Sequence, residues 1–396
     1  MIPRLRPSLG AREFVSAFLA RYSLEDFESA FADLAGQTEA IAFPYGRTGL
    51  LLLLEALGLK GREIILPSYT CVVVAHAIVL SGNQPVFIDS ASDNFNMDLD
   101  LAEARIGEQT GALIATSIHG YPVDLDRLDA IRNRHPDVVV IQDCAHGFMS
   151  QWNGHPVQKH GRAAIFGLNV SKLMTSIFGG MVTTDDCELA ARLRELRAAR
   201  LSQSSRFRDM KQVIYLTAAS AALHPLGFSL VNRMIKTGAL DRFVKYYDEG
   251  KIDMPADYLA TLGRAAASVG YAQCGRYDEI VAARRRISAT YDRLLSGSPH
   301  IQPAPLVDGA TYSHYVARVK DPVSLVAKAS TKGVELGRVI DYCVPDFAAY
   351  RGMVPDTADF PRTRQLNSEI VNLPLSVSEA EAERVADVVR ACLHAS

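Results

Sequence analysis

Between about residues 45 and 200, short apolar runs rich in valine and isoleucine alternate with longer helical patterns. The runs that have the length of buried strands lie at residues 63–67, 85–89, 112–118, 138–143, 163–168 and 180–184. Helical patterns lie at residues 49–57, 72–81, 125–133 and 187–199. This alternation predicts a mainly parallel sheet with helices on both faces. We therefore expect functional side chains in the loops at the carboxyl ends of the strands.

The remaining segments predict a division of the 396-residue chain, which is long enough for two domains. Residues 202–257 hold an apolar stretch broken by His224 and Pro225, and they predict two short helices inserted between the domains. We expect this insertion to pack on the body or on a partner subunit; a lid over an active site and a lipid contact are the alternatives. The helix predicted at residues 278–295 carries an arginine run that we interpret as a solvated face. The predicted units are a large α/β domain with its N-terminal arm (1–200), a helical insertion (201–257) and a small C-terminal α+β domain (258–396).

Composition excludes several classes of protein and binding partner. Hydrophobic residues make up 48% and charged residues 22%, as in ordinary soluble globular proteins. The net charge of -2 gives no positive surplus for binding nucleic acid. The six cysteines are scattered without a Cys-x-x-Cys pair, so we expect a reducing cytoplasm, no disulfide framework and no metal site. We also expect no secretory signal and no transmembrane segment.

Three features of the predicted sheet domain are candidates for a catalytic or binding role. Asp143 ends the most apolar predicted strand, and Lys172 follows the next strand. Gly46, Arg47 and Thr48 open a helix whose N-terminal N–H groups could cradle a phosphate. Taken singly, the acid could be a cap, the lysine could be exposed, and a lone glycine-rich helix start is a weak signal. Their order along the chain, however, suits pyridoxal phosphate, which needs a lysine for its aldehyde and an acid for its pyridine nitrogen.

From Tyr45 to Leu393 the sequence resembles the DegT/DnrJ/StrS family of sugar aminotransferases, which belong to fold type I of the pyridoxal phosphate enzymes. The segment PYGRTGLLLLLEALGL is similar to the family's phosphate-cradle segment, and PSYTCVVVAHAIVLSGNQPVFID is similar to the block that follows it. HGYPVDLDRL, the DCAH and NGHPV pair, and AIFGLNVSK match further motifs in the family's order. The resemblance implies a large, mainly parallel sheet domain that binds pyridoxal phosphate and a smaller C-terminal α+β domain.

The resemblance also implies roles for individual cofactor-binding residues. Lys172 would be the Schiff-base lysine and proton shuttle, and Asp143 would pair with the pyridinium nitrogen. Gly46, Arg47 and Thr48 would hold the phosphate. His146 stands where the family has a glutamine beside the ring hydroxyl, and Cys71 stands where an aromatic residue stacks on the ring.

This chain departs from the family pattern at several positions around the cofactor. Gly167 stands where the family has a phosphate-binding serine, and Asn169 or Ser171 is expected to substitute for it. Leu259 and Thr261 stand where the family has an asparagine and an arginine that make a contact from the neighbouring subunit.

Substrate contacts are predicted on the donor and acceptor sides of the site. Arg338 is the candidate for binding the carboxylate of an amino acid donor, since an arginine binds a carboxylate through two parallel hydrogen bonds. His119 and His314 are the candidates on the substrate side. A surface role for the arginine and ordinary structural hydrogen bonds for the histidines are the alternatives.

The predicted function is transfer of an amino group from an amino acid, by analogy glutamate, to a keto sugar or sugar nucleotide in polysaccharide or secondary-metabolite biosynthesis. A homodimer is expected from the resemblance. Two alternatives remain at this point: other pyridoxal phosphate chemistry on an amino substrate, and a non-catalytic regulator that retains the fold.

Overall fold

The structure, a computed structural model, describes residues 1–92, 94–224, 228 and 248–394. The strands, numbered along these residues, are β1 (Glu39–Phe43), β2 (Glu63–Pro67), β3 (Gln84–Ile88), β4 (Thr110–Thr116), β5 (Val139–Asp143), β6 (Gln151–Trp152), β7 (His155–Pro156), β8 (Ala163–Gly167), β9 (Gly180–Thr184), β10 (Ile301–Pro303), β11 (Tyr315–Val319) and β12 (Ile370–Leu373). The α-helices are α1 (Ala11–Leu19), α2 (Leu24–Ala35), α3 (Gly46–Ala56), α4 (Val72–Leu80), α5 (Leu99–Ala104), α6 (Leu125–Arg134), α7 (Cys187–Arg200), α8 (Arg206–Ala222), α9 (Arg264–Cys274), α10 (Tyr277–Leu295), α11 (Pro322–Thr331), α12 (Pro361–Glu369) and α13 (Glu379–Leu393).

A seven-stranded sheet dominates the fold, with the spatial order β1, β9, β8, β5, β4, β2, β3. The neighbouring pairs among β8, β5, β4, β2 and β3 are parallel, whereas β9 runs antiparallel to both β1 and β8. The prediction of a mainly parallel sheet is therefore confirmed. Strand β1 is not among the predicted strands, because two of its five residues are alanines, which favour helices over strands.

Side chains of the sheet alternate between two hydrophobic cores, one on each face. In β1, Ala40 and Ala42 face one core, while Ile41 and Phe43 face the other. Helices α2 and α6 cover the first face, and α3, α4 and α7 cover the second. Because both faces are buried, the central strands are apolar throughout, which explains why they can be recognised as continuous apolar runs.

A smaller unit forms around the antiparallel sheet β10–β11–β12, which packs with α10, α11 and α13. The N-terminal arm reaches this unit, because Ile2 pairs with Val334 as an isolated β-bridge. Helix α9 contributes Ala266 and Ala267 to the core of the large sheet, although the predicted division assigns it to the C-terminal domain. The boundaries at residues 200 and 257 stay a prediction.

The predicted insertion begins with α8, which is capped by the Ser205 side chain and buries Gln212 and Leu216. The prediction of a second helix beyond Pro225 falls largely on residues 225–227 and 229–247, which lie outside the described part of the chain. Within the described ranges, no helix combines the length and hydrophobicity needed to cross a bilayer.

Asp89, which follows β3, joins the large sheet to α12. Its carboxylate accepts hydrogen bonds from the backbone N–H groups of Arg362 at 2.9 Å and Thr363 at 2.8 Å. These groups lie in the first turn of α12, whose own N-cap residue makes no side-chain cap. The hydroxyl of Thr363 also lies 2.7 Å from that of Ser68, just beyond β2. The segment that leads into β12 is thereby held at the carboxyl edge of the large sheet.

Candidate active site

The predicted cofactor residues meet at the carboxyl edge of the large sheet. Asp143 is the last residue of β5 and is buried. Lys172 lies in the loop after the adjacent strand β8, which ends at Gly167. This convergence follows from the parallel topology, because neighbouring parallel strands end at the same edge of a sheet.

Gly167 lies between the Lys172 side chain and the segment after Asp143. A Cβ atom placed on Gly167 would lie 3.5 Å from the Lys172 Cε and 3.6 Å from the Ala145 Cβ. The Ala145 backbone N–H in turn donates a 3.0 Å hydrogen bond to the Asp143 carboxylate. The lysine therefore extends across the end of β8 toward the acid.

Burial shifts the pKa of both groups toward their neutral forms. It lowers the pKa of the Lys172 ammonium, while Cys71 and the Asp143 charge act in the opposite direction. Burial also raises the pKa of Asp143, and the Ala145 N–H and the Lys172 charge offset part of that effect. A larger fraction of Lys172 is therefore neutral and nucleophilic than for an exposed lysine.

The predicted phosphate cradle lies beside these residues and depends on close contacts between glycine backbones. A Cβ on Gly46 would lie 2.9 Å from the Phe166 carbonyl oxygen and 3.2 Å from the Gly167 Cα. A Cβ on Gly180 would lie 2.3 Å from the Gly46 nitrogen. Only glycine lets the start of α3 approach the end of β8 and the start of β9 so closely, and the N-terminus of α3 consequently faces the Lys172 loop.

The other predicted cradle residues are placed as follows. Thr48 is buried, and its hydroxyl donates to the Tyr258 carbonyl at 3.1 Å. The Arg47 guanidinium lies 5.8 Å from the centre of the Tyr45 ring. Cys71 is the N-cap residue of α4 and is partly buried.

Asn169 shapes the loop that carries the lysine. Its side-chain oxygen accepts hydrogen bonds from the Ser171 backbone N–H at 2.9 Å and from the Ser171 hydroxyl at 2.5 Å. Its carbonyl oxygen accepts a 3.0 Å hydrogen bond from the Lys172 N–H. The two residues expected to replace the missing serine therefore bond to each other within this loop.

Three histidines form one wall of the site. The ring centres of His119 and His146 are 6.1 Å apart, those of His119 and His314 are 5.7 Å apart, and those of His146 and His314 are 5.2 Å apart. Burial lowers the pKa of His119 to about 3 and those of the other two well below the ordinary value, and the nearby Lys172 charge adds to each effect. The structure thus places His119 and His314, predicted on the substrate side, next to His146, which is predicted to lie beside the cofactor's ring hydroxyl.

Tyr69 completes this wall, since its hydroxyl lies 3.1 Å from the His119 Nε2. Tyr69 is not among the predicted site residues, although it lies just after β2 at the same sheet edge. An aromatic residue directly after a predicted buried strand, at 63–67, is the sequence signal that could have identified it.

The interpretation of the arginine run at residues 284–286 as a solvated face is wrong for Arg284. Arg285 and Arg286 are exposed, but Arg284 is buried and donates a 2.8 Å hydrogen bond to the Ser313 carbonyl, next to His314. The spacing of buried residues along α10 explains the difference. Arg284 falls on the same helical stripe as Tyr277, Ile280, Val281, Ile287 and Tyr291.

Arg338 lies at the periphery of this group. Its guanidinium donates to the Asn367 carbonyl at 2.6 Å and lies 3.8 Å from the Asp341 carboxylate. It is linked to the histidine wall through its neighbour Val339, whose carbonyl oxygen accepts a 3.3 Å hydrogen bond from Tyr69. Its assignment to a donor carboxylate stays a prediction.

The residues present fit pyridoxal phosphate. The site combines a buried amine with a lowered pKa, a buried acid beside it and a helix N-terminus approached by glycines. His146 adds a buried Nδ1 atom that has no hydrogen-bond partner among the described residues. Lys172 would bond to the aldehyde, Asp143 would face the ring nitrogen, and the start of α3 would hold the phosphate.

Comparisons with known proteins agree with this interpretation. Residues 18–392 match the model of the DegT/DnrJ/EryC1/StrS aminotransferase family. The chain is 35% identical to the GDP-perosamine synthase of Caulobacter vibrioides over 183 residues, which are 46% of this chain and 49% of that protein. It is 36% identical to the L-glutamine:scyllo-inosose aminotransferase of Streptomyces griseus over 184 residues, which are 46% of this chain and 43% of that protein. The matched region thus spans about half the length of these relatives.

Solved structures share the fold over the full length. The aminotransferase TlmJ of Streptoalloteichus hindustanus superimposes with a TM-score of 0.78 at 25% identity, and the match covers 100% of this chain and 99% of that one. The Streptococcus pneumoniae protein Spr1654, described as a sugar aminotransferase and solved in its PMP form, gives a TM-score of 0.80 at 20% identity over 100% of both chains. The chain therefore belongs to the DegT/DnrJ/EryC1/StrS aminotransferase family, a family of pyridoxal-phosphate-dependent enzymes, as its motifs predict.

Proposed function

We propose that this protein is an aminotransferase that moves the amino group of an amino acid, glutamate, to a keto sugar. The observation that carries the proposal is the partly buried Lys172 at the end of β8, next to Asp143 and beside the N-terminus of α3. The family match supports the reaction class. The names of the two relatives, a perosamine synthase and a scyllo-inosose aminotransferase, support a polyhydroxylated keto compound as acceptor.

Asp143 and Lys172 would have different roles in this reaction. Pyridoxal phosphate, when bound, supplies an aldehyde and an electron-withdrawing ring. Asp143 would hold the proton on the ring nitrogen, since a buried carboxylate is stabilised by a positive partner. Lys172 would hold the cofactor through its Nζ atom, and the same Nζ would take up and give back the proton of the donor's α-carbon. The lowered pKa of Lys172 suits this task because only the neutral amine acts as a base.

We also propose the compartment in which the reaction takes place and the class of reaction that makes the acceptor. The six cysteines form no disulfide with one another within the described part of the chain, which supports a reducing compartment such as the cytoplasm. The acceptor would be a keto sugar, free or linked to a nucleotide, made by the class of reaction that oxidises a sugar hydroxyl to a ketone.

A homodimer is the proposed assembly. Two neighbouring helices carry exposed apolar side chains at helical spacing: Val15, Phe18 and Leu19 on α1, and Phe207, Met210 and Ile214 on α8. Stripes of this kind mark protein contacts when they are contiguous. Aromatic rings connect α8 to the cradle, with Tyr215 and Phe178 centred 4.7 Å apart and Phe178 and Tyr45 centred 6.3 Å apart. A second copy bound to this surface would therefore lie close to the cofactor site.

The reaction is tested by following the absorbance change and the oxo acid formed when the cofactor-loaded protein is mixed with glutamate. We expect Lys172→Ala to abolish the half-reaction, since it removes the proton-transfer group. Asp143→Asn should bind cofactor and react at least about 100-fold more slowly, the usual size of such a loss. The exposed Asp137→Asn is the control and should react normally. A near-normal rate for Asp143→Asn would contradict its assigned role.

Replacement of Gly167 tests the phosphate cradle. A Cβ here makes only ordinary contacts of 3.5 and 3.6 Å, so Gly167→Ser should fold and place a hydroxyl beside the start of α3. A hydrogen bond to a charged group contributes about 1.5–3 kcal/mol, so the Kd for pyridoxal phosphate should fall roughly 10-fold or more. Gly167→Ala adds the same carbon without the hydroxyl and serves as the matched control. Equal affinities for the serine and alanine variants would place the phosphate elsewhere.

The dimer is tested by adding charge to the exposed stripe of α8. The double substitution Phe207→Glu and Ile214→Glu should convert the dimer to a monomer, because the two carboxylates would have to be desolvated at the interface. Val323→Glu on α11, where the valine is also exposed, is the control and should leave the dimer intact. Light scattering coupled to size-exclusion chromatography gives the mass. A wild-type monomer, or a dimer that survives both substitutions, would contradict the proposed surface.

A further inference from the structure

The histidine wall described above has the composition of a metal site. His119, His146 and His314 each offer one ring nitrogen, and these three atoms lie within 4.8 Å of one another. His119 and His146 are buried and His314 is partly buried. They come from three distant segments of the chain, after β4, after β5 and before β11, so no local sequence spacing could reveal the group.

Hydrogen bonds leave a ring nitrogen available in each histidine. The His119 Nε2 is engaged by the Tyr69 hydroxyl at 3.1 Å, whereas its Nδ1 is buried and lacks a hydrogen-bond partner among the described residues. The His314 Nδ1 is engaged by the Ser313 hydroxyl at 3.1 Å, which leaves Nε2. The His146 Nδ1 is buried and also lacks a partner within the described ranges. A metal-binding histidine ordinarily has its second nitrogen held by such an outer partner.

The backbone holds two of these histidines together. His119 adopts a left-handed φ of 56°, a strained conformation for a residue other than glycine, and Gly120 follows at 91°. A Cβ on Gly120 would lie 2.6 Å from the Tyr312 nitrogen, so the two loops touch along their backbones. The His314 N–H donates to the His119 carbonyl at 3.4 Å, and the Gly120 carbonyl accepts from the Thr311 N–H at 3.0 Å. A strained loop fixed in this way is typical of a functional site.

We propose that His119, His146 and His314 form a three-nitrogen binding site for a divalent zinc ion in the cofactor-free enzyme. Imidazole nitrogens suit zinc, and three histidines with one open position form a recognised zinc coordination set. Zinc–nitrogen bonds of about 2.0–2.1 Å place tetrahedral ligands roughly 3.4 Å apart. Because the present separations are at most 4.8 Å, each would have to shorten by no more than about 1.4 Å to reach that spacing. This proposal revises the sequence-based expectation that the chain has no metal site.

The zinc site goes beyond the proposed aminotransferase function and does not depend on it. His146 is also the residue assigned to the cofactor's ring hydroxyl, so zinc and cofactor would share this wall of the pocket.

The test uses full-length protein freed of metal by chelation and of cofactor by dialysis against hydroxylamine, which releases an aldehyde bound to a lysine. Co²⁺, which replaces zinc in such sites and absorbs visible light, is titrated in, followed by competition with Zn²⁺. We expect one tightly bound ion per chain and the absorption bands of a low-symmetry site with nitrogen ligands. His314→Gln and His119→Gln should each weaken binding at least about 10-fold, whereas His135→Gln, on the surface beside Glu103, should bind normally. Circular dichroism of the metal-free variants verifies that each one folds.

Tyr69→Phe supplies a readout that a purely structural role would not change. It keeps the ring and removes only the hydroxyl that engages the His119 Nε2, so Co²⁺ affinity should fall about 10- to 100-fold. Absence of stoichiometric binding, or binding that folded His314→Gln and His119→Gln variants retain, would overturn the zinc site. A protein that binds Co²⁺ through these histidines but neither takes up pyridoxal phosphate nor reacts with glutamate would refute the proposed function and leave the zinc site standing.

Discussion

The burial of Lys172 beside Asp143 is the interaction on which the rest of the site depends. An amine and a carboxylate removed from water are each pushed toward the neutral form, and each is stabilised in its charged form by the other. The parallel sheet creates this situation, because β5 and β8 end at the same edge. Glycines at the start of α3 and the end of β8 then bring a helix N-terminus, an anion-binding element, against the pair.

Much of this arrangement can be predicted from the sequence. The strands that hold the site are buried on both faces, so they read as continuous apolar runs, and Asp143 ends one of them. The cradle opens α3, the acid ends β5 and the lysine follows β8. The sheet topology brings all three to the carboxyl edge of the large sheet. The convergence of Lys172 and Asp143 at one sheet edge could thus be predicted, because local sequence and topology agree at both positions.

Other features depend on contacts between distant segments and could not be predicted. Arg284 lies in a run of three arginines, and only packing distinguishes it from its exposed neighbours. The three histidines meet because the loop at His119 adopts a left-handed conformation and bonds to the segment before β11. Strand β1 has too little β propensity to be recognised from its own sequence. Its place in the sheet is set by pairing with the distant strand β9.

Chemical trapping of the lysine tests the central claim most directly. Borohydride reduction of the protein loaded with pyridoxal phosphate fixes the cofactor to whichever amine holds it, and peptide mass mapping locates the label. The arrangement at the end of β8 predicts a pyridoxyl group on Lys172 at about one per chain, with exposed lysines such as Lys60 and Lys211 essentially unlabelled. Label spread over exposed lysines, or none on Lys172, would contradict the account.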